Sequence, residues 1–233
     1  DVSHGEYDAS TGHGECDAII ETDEVIIFIE AKKKPLTRTA RSAQDWPLVV
    51  DLVKALLDPQ LQAGRHELAL QSDGKLALCG GRTLALGGRR IERIALTLLD
   101  FGALHTREMS RQFLHLLAGC SLSSTNPSRG REQEAVNAKL AELGRQWQQY
   151  QALTGAKDEG AFFNCWFLSL GHLLVLLDDV TSSESFWREL GRTRHITHGS
   201  LSWFHEHALA QGNEAQHAVY NRLYRHDGPT ILL

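Results

Sequence analysis

The chain is poor in the residues that would tie it to an oxidising compartment or to lipid. It holds four cysteines in 233 residues, Cys16, Cys79, Cys120 and Cys165, far apart and with no CxxC pair, so neither a disulfide framework nor a zinc ribbon can be read from it. No secretory signal precedes them, and a reduced, cytoplasmic setting is expected. A long apolar run is missing too. The longest, Phe162 to Leu177, is broken by Asn164, Ser169, Gly171 and His172. It is too short to span a bilayer core of about 30 Å comfortably, so it reads as a buried helix and no membrane partner is expected. Nor is positive charge in excess. The 24 Lys and Arg against 29 Asp and Glu leave a formal charge of −5, which excludes a generally basic surface, and any polyanion must meet a local patch. There is no internal repeat. The first residue is Asp1 and not Met, so the chain is expected to begin inside a longer protein, with its N-terminus truncated.

What is present suits one globular domain with a helical extension. Residues 1 to 14 carry Gly, Ser, His and acids without an apolar period and read as a loop or a weak strand. Glu15 to Glu21 and Val25 to Lys32 are rich in apolar, β-branched residues on either side of Thr22-Asp23-Glu24, the pattern of a hairpin. Alternation puts Glu15, Asp17 and Ile19 on one face of the first strand, and Ile26, Phe28, Glu30 and Lys32 on one face of the second. Leu48 to Leu57 and a segment opened by Asp58-Pro59 read as two helices or one kinked helix. Lys75 to Leu78, Thr83 to Leu86 and Ile91 to Leu99 are strand candidates. The remainder reads as helix, over 106–118, 132–153, 162–177, 183–190 and 200–210. The expected organisation is an α/β (α+β) core over 1–120, a Ser-rich linker over 121–131, and a mainly helical region over 132–233.

The most informative residues are Asp17 and, beyond twelve intervening residues, Glu30-Ala31-Lys32 at the end of an apolar strand. Asp17 and Glu30 are hard oxygen donors suited to Mg²⁺ or Mn²⁺, which take one or two protein carboxylates and keep positions for water and phosphate. The Ala31 backbone carbonyl is a further candidate ligand, and so is Glu15, which is equally readable as a rim residue. Lys32 would hold or polarise the attacking water and steady the developing charge. Lys33, Lys34, Arg38 and Arg41 extend Lys32 into a basic run with no acid before Asp45, a track for phosphates. The bland alternative is a solvated strand end with a weak surface ion pair.

An aspartate, a spacer and Glu-x-Lys on a hairpin followed by a helix resembles the PD-(D/E)xK nuclease superfamily. The resemblance covers roughly residues 14 to 99. It implies a restriction-endonuclease-like fold, a mixed central sheet flanked by helices, here with a C-terminal helical subdomain. It implies a divalent metal on Asp17 and Glu30, Lys32 assisting the water, and DNA as the substrate, with RNA left open. Many family members carry a polar residue on the helix after the lysine, and Gln60 and Gln62 are the candidates for that role here, with Arg65 one turn beyond. The family's first core helix is expected upstream of Asp1, and Cys16 stands where the family pattern has proline. The alternative function is a module of the same fold that binds nucleic acid or assembles with a partner in DNA repair or defence, without cutting. The helical C-terminal region is the expected surface for a protein partner or homodimer.

Arg82, Arg89, Arg90 and Arg93 form a second basic cluster beside paired glycines, a weaker candidate for backbone contacts. His205-Glu206-His207 has neither HExxH nor zinc-finger spacing, so structural or exposed histidines are expected there.

Overall fold

The structure, a computed structural model, describes residues 1–10, 12–33, 45–194 and 199–212. Its strands and helices run β1 (Val2–Ala9), β2 (Gly12–Glu21), β3 (Val25–Lys32), α1 (Asp45–Leu52), α2 (Asp58–Asp73), β4 (Lys75–Leu78), β5 (Thr83–Ala85), β6 (Arg90–Thr97), α3 (Arg107–Ala118), α4 (Gly130–Thr154), β7 (Cys165–Ser169), α5 (Leu170–Leu177) and α6 (Ser183–Gly191), with a further helical stretch over 203–212. All the strands join one seven-stranded sheet in the order β5-β4-β1-β2-β3-β6-β7. β1, β2 and β3 form an antiparallel meander, while β6 runs parallel to β3 and β7 parallel to β6.

The β2–β3 hairpin forms as its sequence predicts. The Thr22 hydroxyl accepts from the amides of Glu24 at 3.1 Å and Val25 at 2.9 Å, closing the turn. The buried run Val25 to Ile29 then enters the middle of the sheet. Ile26 and Phe28 pack toward α2, and Val25, Ile27 and Ile29 pack toward α5, α6 and Trp203. Helices therefore cover both faces, with α2 against one face and α4 packed on α2 behind it. That double burial explains a continuous apolar strand where a one-sided sheet would alternate.

Asp58-Pro59 does not start an independent helix. Leu57 and Asp58 are both helical, and the Asp58 amide donates to the Val53 carbonyl five residues back, so α1 and α2 join through a π-helical turn at Val53–Leu57. Proline has no amide to donate, and one widened turn absorbs the missing bond. The Asp58 side chain pairs with Lys139 of α4 and caps nothing.

Of the two readings open for residues 1–14, the strand holds: Val2–Ala9 is a full strand held between β2 and β4. One expectation is overturned. The run Phe162 to Leu177 is not one helix: Cys165–Ser169 is β7, every residue of it buried, and the helix begins only at Leu170. A short apolar run buried on both faces has the same composition as a buried helix, so periodicity could not separate them. The switch is set by Ser169, whose hydroxyl accepts the His172 amide while the His172 ring accepts the Ser169 amide. The chain beyond 132 thus returns to the sheet through β7, in addition to contributing helices.

Candidate active site

The site lies where β2 and β3 part. Their pairing runs from Glu21↔Ile26 to Ala18↔Ile29. On the other side of β2, Ser3 faces Ile19 but Gly5 faces Cys16, two steps on β1 against three on β2. The extra residue is a bulge at Asp17-Ala18, which restarts the alternation. Cys16 and Ile19 consequently share the face toward α2, and the expected grouping of Ile19 with Glu15 and Asp17 does not hold. Asp17 is exposed on the wall of a cleft.

The Asp17 carboxylate accepts the Ala31 amide at 2.8 Å, bridging the gap where the ladder stops. In extended backbone the N–H and C=O of one residue project to the same side, so the Ala31 carbonyl faces that gap as well. Glu30 is only 2% exposed, and its carboxylate accepts from Nε2 of His66, one helical turn beyond Gln62 on α2, at 2.9 Å. With Nε2 donating, Nδ1 is the acceptor for the Tyr7 hydroxyl, 2.5 Å away. Burial, and then the neighbouring charges of Cys16 and Glu30, push the Tyr7 hydroxyl well above its usual range. Burial followed by Glu30 does the same to the Cys16 thiol.

Tyr7, Asp17, Glu30 and His66 border a cleft of about 710 Å³. Glu15, Asp17, Glu30 and Lys32 line the sheet side, and Gln62, Arg65 and His66 the α2 side. Glu142, Arg145, Gln146 and Gln149 of α4 close the third side, and sequence reasoning did not find them. Arg65 is held by Glu142 at 2.7 Å. A second cavity of about 320 Å³ shares Lys32, Gln62, Arg65 and Glu142 and reaches Asp58 and Lys139. Gln62 lines both, and its Oε1 is buried with no hydrogen-bond partner among the described residues.

The cleft thus brings together Glu15, Asp17, Glu30, Lys32, Gln62 and Arg65. Gln60 is not among them: it is buried between α2 and the sheet and donates to the Trp166 carbonyl at 2.8 Å, a packing role. Lys33 is exposed just past β3, and Lys34, Arg38 and Arg41 lie outside the described residues. The second basic cluster is consumed by structure. Arg82 and Arg89 pair with Glu21, Arg90 with Glu24, and Arg93 with buried Glu67 at 3.1 Å. His207 contacts Glu189 and His205 contacts Ser200.

Two donor sets can hold a cation. Asp17, Glu30 and the Ala31 carbonyl all offer oxygen, and the two carboxylates border the open cleft, which suits a hard ion. Cys16, Glu30 and His66 each offer an atom within 4.8 Å of the others and are all buried.

No family model matches this chain, and neither does any curated protein or solved structure. The fold is of the mixed α/β class, with a seven-stranded sheet between helical layers among the described residues.

Proposed function

We propose that the protein is a divalent-metal-dependent nuclease of restriction-endonuclease-like architecture that hydrolyses phosphodiester bonds in DNA. One observation carries the reading. Two carboxylates and an ammonium separated in sequence, Asp17, Glu30 and Lys32, line one cleft at the end of β3, on a strand that the parallel β6 and the antiparallel β2 flank. The antiparallel meander, following helix and parallel strand support the architecture.

The donor chemistry fits Mg²⁺ or Mn²⁺, since Asp17, Glu30 and the Ala31 carbonyl offer oxygen and leave positions for water. Once bound there, such an ion supplies Lewis-acid stabilisation and a more acidic water. Lys32 would orient the attacking water and stabilise negative charge on the phosphate oxygens. Gln62, whose buried oxygen has no partner among the described residues, lines the cleft and would position water or a phosphate-bearing strand. His66 holds the Glu30 carboxylate in one orientation, and Tyr7 holds His66.

The test is incubation of the protein with linear, nicked and single-stranded DNA and Mg²⁺ or Mn²⁺, beside Asp17→Ala and Lys32→Ala. Cleavage by the parent alone supports the reading. Equal cleavage by both variants rejects the site. No cleavage by any form, with retained DNA binding in a mobility-shift assay, replaces it with a non-cutting module.

A further inference from the structure

Glu30 belongs to both donor sets, and the second set differs in chemistry from the first. Behind the cleft wall, the Cys16 thiol, the Glu30 carboxylate and the His66 imidazole converge to within 4.8 Å of one another. Among the described residues this is the one such grouping of His, Cys, Asp and Glu. From these positions we infer that Cys16, Glu30 and His66 form a thiolate–carboxylate–imidazole site for a borderline divalent metal of the Zn²⁺ class, and that occupying it withdraws Glu30 from the hard-ion site. The binding part stands without the nuclease reading, and the competition part rests on it.

Donor type selects the metal. Sulfur and imidazole nitrogen favour Zn²⁺ or Co²⁺, whereas Mg²⁺ demands oxygen and gives up its water reluctantly. Three protein ligands with one position left open is a recurrent zinc arrangement. Here the open position falls on the cleft side, because Glu30 and His66 line the cleft and Cys16 does not. Charge agrees: a dication with one thiolate and one carboxylate is neutral overall, the state that a buried site tolerates. On binding, Cys16 releases its proton to solvent, and the His66 proton is carried on Nδ1 so that Nε2 meets the metal. Nδ1 is already within hydrogen-bond reach of the Tyr7 oxygen at 2.5 Å, and Tyr7 becomes the acceptor. Outer partners of this kind fix the ring of a metal-bound histidine.

Sharing Glu30 makes the two sites antagonistic. The side chain is 2% exposed and already directed to His66. A metal on the Cys16 side would hold it there, and Asp17 with the Ala31 carbonyl is a weak hard-ion site. A micromolar thiophilic metal would then silence cleavage in the presence of excess Mg²⁺.

Co²⁺ is the probe, because a cobalt thiolate shows a near-ultraviolet charge-transfer band that carboxylate and imidazole do not give. The full chain is titrated with Co²⁺ as wild type, Cys16→Ala, His66→Gln, Asp17→Ala and Cys79→Ser, the last removing the exposed thiol. Expected are one equivalent with the band in wild type, Asp17→Ala and Cys79→Ser, and no band in Cys16→Ala. Zn²⁺ affinity by competition should fall in His66→Gln by at least the roughly 10–100-fold that loss of a mere outer partner costs. Far-ultraviolet circular dichroism reports whether the core variants fold, and the Asp17→Ala and Cys79→Ser arms remain decisive if they do not. Absence of the band in wild type, its survival in Cys16→Ala, or its loss in Cys79→Ser overturns the site. Stoichiometric Zn²⁺ should then abolish Mg²⁺-dependent cleavage by wild type, and a chelator that prefers Zn²⁺ should restore it. Cleavage that persists with Zn²⁺ bound overturns the competition. The expected band without cleavage by any form leaves the soft site standing and removes the nuclease reading. Cleavage with no band does the reverse.

Discussion

The Asp17 carboxylate accepts the Ala31 amide proton at 2.8 Å, so the residue proposed to hold a metal also closes the last rung between β2 and β3. The two roles separate on substitution. Asn keeps a carbonyl acceptor for Ala31 but loses the charge, whereas Ala loses both. Asp17→Asn should lie within about 1 kcal/mol of the parent in stability, the net worth of an ordinary hydrogen bond, yet cleave DNA on the order of 10²–10³-fold more slowly. Urea unfolding and single-turnover cleavage measure the two effects. An active Asp17→Asn would remove the carboxylate from the mechanism.

Gly64 is the point at which α2 meets α4. A Cβ there would collide with the Gln146 carboxamide oxygen and the Arg93 guanidinium. Both neighbours are committed, Gln146 donating to the Leu61 carbonyl at 3.0 Å and Arg93 pairing with Glu67. Alanine in a helix gains about 1 kcal/mol over glycine, but displacing buried hydrogen-bonded groups costs about 1–3 kcal/mol each. The loss should win. Gly64→Ala is expected to lower stability by about 1–2 kcal/mol, and adding Gln146→Ala should recover part of it, a coupling that a double-mutant cycle in urea measures directly.

Glu67 and Arg93 meet between α2 and β6, both almost fully buried and 3.1 Å apart, and Asn164 donates to the same glutamate at 2.8 Å. Burial pushes the Glu67 carboxyl above its usual range. Removing one partner leaves a buried charge without compensation, so Arg93→Met should cost about 3–5 kcal/mol. Replacing both, Glu67→Met with Arg93→Met, should be milder than Arg93→Met alone. Chemical denaturation of the three variants decides this, and additive losses would show the pair not to be coupled.

The legible part of this molecule was local. The β2–β3 hairpin showed in its β-branched runs and in Thr22-Asp23-Glu24, and Glu30 and Lys32 shared a strand phase with Phe28 that the packing keeps. The bulge was not legible, because one extra residue in β2 is defined only by its register against β1. Cys16 and His66 gave a faint signal: the first adjoins Asp17, and the second stands one turn beyond Gln62. Their convergence needs the sheet and α2 assembled together. Glu142, Arg145, Gln146 and Gln149 approach the cleft from far along the chain, on a helix whose periodicity says only that one side is buried. Gln60 misled because the two glutamines two residues apart on a helix face different directions, one to the Trp166 carbonyl and one to the cleft.

His172 supplies the pH dependence. Its ring is buried beside Trp203 at 4.4 Å, Phe204 at 4.5 Å and His105 at 4.5 Å between ring centroids, with the Asp100 carboxylate 3.8 Å from Nε2. Nδ1 accepts the Ser169 amide at 3.1 Å and starts α5. Burial, then the nearby His105, lowers its pKa from 6.5 to about 4. The unfolded chain therefore takes up this proton first as the pH falls. The contribution of His172 to stability is complete above 6.5 and is lost progressively toward pH 4, where the folded ring protonates too. Protonation of Nδ1 also removes the acceptor for Ser169. His105 and His207 are lowered by burial in the same direction, so the whole cluster acts together. His172→Asn places an oxygen near the position of Nδ1 and does not titrate. Urea midpoints at pH 7.5, 6.5, 5.5 and 4.5 should fall less steeply with acid in His172→Asn than in the parent, to the extent of one histidine among three. Parallel curves for the two proteins would assign the acid sensitivity to other groups.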